Sequence, residues 1–330
     1  MAYQDIFNPK ASPHLVILGA GATMAAIPDG DRNGRKSSVM DDFISNLNLT
    51  DCLKDIKLET TSRNLEDIYS ELADRTDCVN IRSELEDRIR NYFIELRLPE
   101  KPTVYDLLIL SLRKKDAIAS FNWDPLLLEA HGRIQYITDE VPDLIFLHGN
   151  VNAGICLKDK RYGLLNNYCP ICKNKFEQVP LLYPIRNKDY TSNIFIKEQW
   201  DLIKQYLKNA QIVTIFGYGA RNTDEGAMEL LHKGYGSSLR YLDEVEIIDK
   251  NKEKEDLYNT WENFYDVSHG HLKIYRDFAD SYLAEFPRRS VEALNKRNNG
   301  WWGSPQNSFK SDYSSFEELE THFVQLLNNE

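Results

Sequence analysis

The chain has 330 residues, of which 42% are hydrophobic and 28% charged, and a formal net charge of −11. Length and composition predict a globular protein of one large domain with an insertion, or of two domains. The acidic charge argues against direct nucleic-acid binding, which usually requires a basic face. Neither a membrane-spanning apolar run nor a secretory signal is recognisable. Five cysteines, an odd number, favour reduced thiols and a cytoplasmic location.

Five short apolar runs predict buried strands, and longer helical patterns alternate with them. The strands are expected at 14–21, 116–124, 143–149, 211–219 and 244–250. Continuous apolar runs are typical of strands covered on both faces, as in a parallel sheet. The helices are expected at 64–77, 83–96, 103–115, 194–210, 222–234 and 314–329. This alternation predicts an α/β fold, a Rossmann-like doubly wound parallel sheet with helices on both faces.

Two interruptions of the pattern and the end of the chain define the predicted domain organisation. Residues 1–285 are expected to form the main domain, with a helical insertion at about 40–113. A small cysteine-containing module is expected as a second insertion at about 150–190. Residues 286–330 are expected to form a C-terminal loop, over 286–312, and a closing helix that packs on the core.

The first predicted strand runs directly into the turn GAGA at 19–22, which Thr23 follows. Glycines let a backbone come close to a ligand, and a helix that begins here would direct free N–H groups towards a phosphate. Arg32, in the next loop, could supply a further donor. The G-x-G-x-x-G fingerprint is incomplete, because Met24 holds the third glycine position. A tight turn without a ligand would look the same, so both interpretations stay open.

Polar residues follow the next two strands at what should be the same edge of the sheet. Asn122 and Asp124 close the second strand, and His148 ends the third. Asn122 could hold a water or a sugar hydroxyl, and Asp124 could cap the next helix. The ordinary histidine pKa of about 6.5 suits proton transfer, although a lone strand-end histidine is often structural. Ligands of doubly wound sheets bind beyond the carboxyl ends of the strands, so a ligand site is expected here.

The fourth and fifth strands also end in suggestive residues. A second glycine turn, at 217–219, precedes a helix whose N-cap is expected at Asn222 or Thr223. The fifth strand ends in Asp249. An acidic residue in this position commonly accepts hydrogen bonds from ribose hydroxyls, and an ordinary loop aspartate is the alternative.

Three cysteines in the predicted small module suggest a metal site. Cys156 stands alone, whereas Cys169 and Cys172 form a C-x-x-C pair. A complete structural zinc site needs four ligands, usually from two such pairs. A structural zinc ion and a metal-free remnant of a zinc knuckle both remain possible from the sequence. Any zinc here would be structural, because a closed thiolate site has no open position for chemistry.

Residues 14–250 resemble the sirtuin family in the order of seven short segments. Along the chain, these are GAGAT, IPDGDR, FNWD, LHGN, CPIC, FGYG and IID. The resemblance implies an NAD-binding domain with Asn122 and His148 as the catalytic pair and Asp124 as an orienting residue. It further implies that the contacts to NAD come from these residues: Gly19, Ala20, Gly21, Ala22, Thr23, Asp29, Arg32, Gly217, Tyr218, Gly219 and Asp249.

The resemblance is closer to one branch of that family. The sequence lacks the segment with which sirtuin deacylases clamp an acyl-lysine peptide. The segments PLLYPIRNKDY, WENFYDVSHGH and FPRRS instead resemble sirtuin-like proteins of bacterial antiphage systems. Those proteins typically hydrolyse NAD to ADP-ribose and nicotinamide. The resemblance therefore implies an NADase, with a protein deacylase, an ADP-ribosyltransferase and a non-catalytic NAD or ADP-ribose sensor as alternatives.

An NADase that depletes cellular NAD would need an inactive state until it is triggered. Assembly into a homo-oligomer, or binding to a partner such as a translocase-type ATPase, could enforce that state. Trp301 and Trp302, between two glycines, are candidate contact residues for such an assembly, and buried packing is the alternative.

Overall fold

The computed structural model describes residues 12–37, 43–47, 49–54, 56–185, 188–220, 224–251, 253–301 and 308–328. The strands are β1 (His14–Leu18), β2 (Ala117–Ser120), β3 (Asp143–Phe146), β4 (Ala153–Cys156), β5 (Arg161–Leu164), β6 (Glu177–Gln178), β7 (Ile212–Phe216), β8 (Glu244–Ile248) and β9 (Leu272–Tyr275). The helices are α1 (Ala20–Ala26), α2 (Phe43–Asn46), α3 (Thr50–Leu53), α4 (Leu65–Ala73), α5 (Val79–Ile94), α6 (Val104–Leu110), α7 (Leu126–Ile134), α8 (Ile194–Asn209), α9 (Glu225–Tyr235), α10 (Lys254–Thr260), α11 (Glu262–Val267), α12 (Tyr282–Glu285), α13 (Ser290–Asn298) and α14 (Phe316–Asn328).

The main sheet is parallel and six-stranded, in the order β3-β2-β1-β7-β8-β9. Its strands, counted along the chain, therefore stand in the order 3-2-1-4-5-6, which is that of the doubly wound dinucleotide-binding folds. The order reverses between β1 and β7. The predicted α/β fold and its five strands are confirmed, and β9 is an additional edge strand. Its apolar run was too short to be recognised, because Lys273 interrupts it.

The register of the strands brings their carboxyl ends level. Leu18 pairs with Ser120 on one side and with Phe216 on the other. Ser120 in turn pairs with Phe146, and Phe216 with Ile248. The residues that follow these strands therefore lie along one carboxyl edge, as the sequence predicted.

Helices α2 to α6 lie between β1 and β2 in the chain. In α5, Leu85, Ile89 and Phe93 recur every four residues and are buried, so one face of the helix packs on the core. Asp106 closes a capping box with Thr103 at the start of α6. None of the helices in the described residues combines the length and the apolar character needed to cross a membrane.

The cysteine-containing insertion is a small antiparallel sheet with the strand order β5-β4-β6. Its interior contains Cys156, Cys169 and Phe176, all buried. The prediction of a separate small module in this part of the chain is consistent with this sheet. The division of the chain at residue 285 stays a prediction.

The C-terminal region contains one error of the sequence analysis and one confirmed element. The expected loop at 286–312 includes helix α13, whose Val291 and Leu294 are buried against Ile212. The apolar face of α13 is narrow, and most of the residues in this segment are polar, so no helical pattern was recognisable in the sequence. The closing helix α14 is present, and Ser315 Oγ accepts a hydrogen bond from the Glu318 N–H at 3.2 Å. Trp301 is 60% exposed, whereas Trp302, Asn222 and Thr223 lie outside the described residues.

Candidate functional site

The two glycine turns contact each other at the carboxyl edge, where the strand order reverses. The N–H groups of Gly19 and Gly21 donate to the carbonyl oxygens of Phe216 and Gly217, at 3.0 Å and 2.9 Å. A Cβ atom on Gly19 would lie 2.5 Å from the Tyr218 Cα. The glycines are therefore required by the close approach of the two loops. These two amides are engaged within the protein, and the contact of the turn with a ligand stays a prediction.

Asn122 is tied to the first of these turns. Its Nδ2 donates to the Gly19 carbonyl oxygen at 2.8 Å and to Thr23 Oγ1 at 2.9 Å. Among the described residues, Asn122 Oδ1 receives no hydrogen bond, and the side chain is half-buried. The amide is therefore held in one orientation, with an oxygen acceptor left for a ligand.

Asp124 orients Asn122 through Thr23. Thr23 Oγ1 donates to Asp124 Oδ2 at 2.8 Å and lies 2.9 Å from the Tyr105 hydroxyl. Burial, and secondly the charge of Asp124, raise the pKa of Tyr105, so this hydroxyl keeps its proton and donates it to Thr23. Asp124 Oδ1 also accepts from the Leu126 N–H at 3.0 Å, which forms the expected turn at the start of α7.

His148 lies at the end of β3 and is only 6% exposed. Phe121, the chain neighbour of Asn122, contacts its ring edge-on, with 4.7 Å between the ring centroids. Burial lowers the pKa of His148 to about 4, well below the ordinary value assumed from the sequence. The imidazole is therefore uncharged near pH 7. Neither of its ring nitrogens makes a hydrogen bond within the described part of the chain.

Sequence analysis missed two residues beside His148. Asp224 Oδ1 lies 3.9 Å from His148 Nε2 and accepts a hydrogen bond from Lys188 Nζ at 2.8 Å. Asp224 Oδ2 accepts from the Tyr218 hydroxyl at 3.1 Å, and the Tyr218 ring stacks on Phe121 at 4.1 Å. In the sequence, Asp224 looks like an acidic residue in the first turn of a helix. Its position four residues after the FGYG-A turn was the available signal.

The other predicted ligand residues are more dispersed. Asp249 follows β8, next to the second glycine turn, because the Gly217 N–H donates to the Ile248 carbonyl oxygen. Ala22 is fully buried, whereas Ala20, Asp29 and Arg32 are exposed and Gly219 is half-buried. An open cavity of about 550 Å³ is lined by Arg32, Asn33, Arg35, Glu95 and Arg97. Among the described residues, no hydrogen bond or ion pair joins Asp29 or Arg32 to the Asn122 network.

The cysteine module brings four possible metal ligands together. The Sγ atoms of Cys156, Cys169 and Cys172 and a carboxylate oxygen of Asp159 all lie within 4.8 Å of one another. Structural zinc takes four such ligands in a tetrahedron. These residues fit a structural zinc ion, and Asp159 is the fourth ligand that cysteine spacing alone did not reveal. The cluster has no role in the chemistry proposed below.

We expect the purified protein to contain a stoichiometric amount of zinc and to lose most of it in the variants Cys169→Ser and Asp159→Ala. Each substitution leaves three ligands, which bind zinc more weakly. Metal analysis of the purified chains checks this. Cys52→Ser, which alters a cysteine of α3, is the control and should keep its zinc. A wild-type protein without zinc would identify the module as a metal-free remnant.

No protein-family model and no curated protein matches the chain. Among solved structures, 81 chains match. One is Sir2 bound to acetylated peptide, with 14% identity, 88% of this chain and 95% of that chain covered, and a TM-score of 0.36. Another is Sir2 with a p53 peptide and NAD+, with 14% identity, 87% and 93% coverage, and a TM-score of 0.36. A mutant Sir2 homologue in complex with ADP-ribose has 12% identity, 92% and 100% coverage, and a TM-score of 0.39. Because these identities and TM-scores are low, the fold is assigned from the strand order of the sheet and not from the similarity to these structures.

Proposed function

We propose that this chain is an NAD+ hydrolase that cleaves the bond between nicotinamide and ribose and releases ADP-ribose. The observation that carries the proposal is the placement of Asn122 and His148 at neighbouring strand ends, beside the point where the strand order reverses. Doubly wound sheets bind nucleotides at such points. The resemblance of the ordered sequence motifs to the sirtuin family supports NAD as the nucleotide.

The reaction needs positioning more than a strong nucleophile. Nicotinamide leaves as a neutral molecule from a cationic substrate, so the electron pair of the C–N bond goes to the pyridine nitrogen. A water molecule forms the new bond to the ribose carbon and gives up one proton. The site must hold sugar and water in a reactive arrangement and stabilise the oxocarbenium-like transition state.

The described side chains suit these tasks. Asn122, held by Gly19 and Thr23, offers its Oδ1 to the water or to a ribose hydroxyl. His148 takes the proton of the attacking water. Because the pKa of His148 lies near 4, its neutral, proton-accepting form predominates at cellular pH.

The binding residues implied by the resemblance are part of this proposal. Gly19 to Thr23, Asp29 and Arg32 would contact the phosphates and nicotinamide, and residues 217–219 with Asp249 would contact the adenosine half. Tyr218 is 6% exposed and its ring stacks on Phe121.

The biological setting is proposed from the sequence resemblance. A cytoplasmic NADase of this type would act as an NAD-depleting effector of antiphage defence. Its inactive state would be enforced by a homo-oligomer, by a regulatory partner such as an ATPase, or by both.

We expect purified protein to release nicotinamide from NAD without any added peptide. The test compares NAD alone with NAD plus an acyl-lysine peptide, and it follows NAD in phage-infected cells that carry the wild-type chain or the His148→Ala variant. Release only with the peptide would identify a deacylase or a transferase. A purified protein that binds NAD saturably without cleaving it, together with an unchanged NAD level in infected cells, would identify a sensor.

A further inference from the structure

Asp224, Lys188, Tyr218 and His148 form a buried polar group, called the Asp224 cluster below. The side chains of Asp224 and Lys188 are 14% and 2% exposed, so their ion pair is shielded from water. They come from separate parts of the chain, since Lys188 follows the small module and Asp224 immediately precedes α9. A buried ion pair of this kind costs desolvation energy and is only weak evidence for a stabilising role.

Within the described part of the chain, the charged groups that act on His148 are Asp224 and Lys188. Burial disfavours the charged form of Asp224, but attraction to His148 in its protonated form and to the Lys188 ammonium group holds the pKa of Asp224 below the ordinary value, so it is a carboxylate at neutral pH. Phe121 and Tyr190 provide the ring contacts of His148, and burial raises the pKa of Tyr190, which is therefore uncharged. Among the residues that the structure describes, one carboxylate and one ammonium group thus act on the imidazole.

The position of Asp224 distinguishes the two nitrogens of His148. Nε2 is fully buried, makes no hydrogen bond within the described residues, and lies 3.9 Å from Asp224 Oδ1. A carboxylate beside one imidazole nitrogen favours the tautomer that carries its hydrogen there, and leaves the other nitrogen as the base. The contact is longer than a hydrogen bond but short enough for a strong interaction with a protonated ring.

We propose that Asp224 is a positioning residue for His148 in NAD hydrolysis, and that Lys188 weakens this effect by pairing with the same carboxylate. Asp224 keeps the hydrogen of the neutral ring on Nε2, so Nδ1 takes the proton of the attacking water. The resulting imidazolium then lies beside the Asp224 carboxylate. This inference depends on the proposed function, because it assigns a role within that reaction.

The test measures the pKa of His148 directly, by NMR titration of histidine-labelled protein without NAD. Asp224→Asn removes the negative charge and should lower the pKa of His148 further. Lys188→Met removes the positive charge and should raise it. Asp201→Asn is the matched control: Asp201 pairs with Lys197 at 2.8 Å on the surface, with side chains 46% and 56% exposed, and its loss should change nothing.

The rate of hydrolysis gives the second readout. A base must be unprotonated, so activity falls as the pH drops through the pKa of His148. Asp224→Asn should therefore move this acidic limb to lower pH and reduce kcat at least about tenfold, with little change in KM. Lys188→Met should move the limb to higher pH. Asp224→Glu should recover part of the lost rate.

The outcomes separate this inference from the proposed function. An unchanged His148 pKa in both Asp224→Asn and Lys188→Met, or shifts of the same sign, would overturn the positioning role even in an active hydrolase. If the Asp224→Asn variant does not fold, the direction of the His148 pKa shift in Lys188→Met alone still tests the positioning role. If both variants show the expected shifts in the pKa of His148 but the wild-type protein leaves NAD intact in infected cells, the proposed function is overturned instead.

Discussion

Replacement of His148 by alanine is expected to abolish NAD consumption while the protein remains folded. The variant lacks the group that takes the proton from the attacking water, and such a group typically contributes about 100-fold or more to the rate. Asn122→Ala should have a similar effect, because the amide that holds the water or the ribose is lost. Nicotinamide release, measured under conditions in which the wild-type protein is active, gives the result.

Two controls make this expectation specific. Circular dichroism and thermal unfolding should show that both variants keep the fold. His131→Ala removes a histidine of α7 that bonds to the backbone of Pro142, before the start of β3, and should retain full activity. A folded His148→Ala protein that cleaves NAD at the wild-type rate would contradict the assignment of the base.

Replacement of Gly149 by alanine is expected to lower the free energy of unfolding by more than about 3 kcal/mol. Gly149 has a φ angle of +81°, and an added Cβ would lie 2.0 Å from the Pro180 carbonyl oxygen. A non-glycine residue in such a conformation costs about 1–3 kcal/mol, and the contact with a backbone atom adds to this cost. Urea denaturation of both proteins measures the difference.

Gly132 provides the matched control for this substitution. It lies within α7, and an added Cβ would have no neighbouring atom within 4 Å. Gly132→Ala is therefore expected to stabilise the protein by about 0.5–1 kcal/mol, because alanine loses less conformational entropy than glycine in a helix. Equal effects of the two substitutions would show that the glycine after His148 is not conformationally required.

The parts of the fold that sequence predicted correctly are those that local patterns determine. The apolar runs that became β1, β2, β3, β7 and β8 were long enough to indicate buried parallel strands. Parallel strands bring their carboxyl ends to one edge, so the sequence predicts that Asn122, His148 and the second glycine turn lie along it, as they do. The small number of apolar residues in α13 and β9 explains why both were missed.

The parts of the site that sequence could not predict depend on burial and long-range contacts. Local sequence gave no reason to pair Lys188 with Asp224, since the two are separated by α8 and β7. The lowered pKa of His148 comes mainly from burial, which depends on the packing of Phe121 and other distant residues. Likewise, Asp159 joins three cysteines only because the small sheet folds back on itself. Each of these features appears only when distant segments are brought together.

A crystal structure of the Asn122→Ala protein with NAD would test the central claim most directly. The account predicts that the bond between ribose and nicotinamide lies at the carboxyl edge between the ends of β2 and β3, with the His148 imidazole turned towards the anomeric carbon. A nucleotide bound elsewhere, or an imidazole directed away from the sugar with no space for water between them, would contradict it.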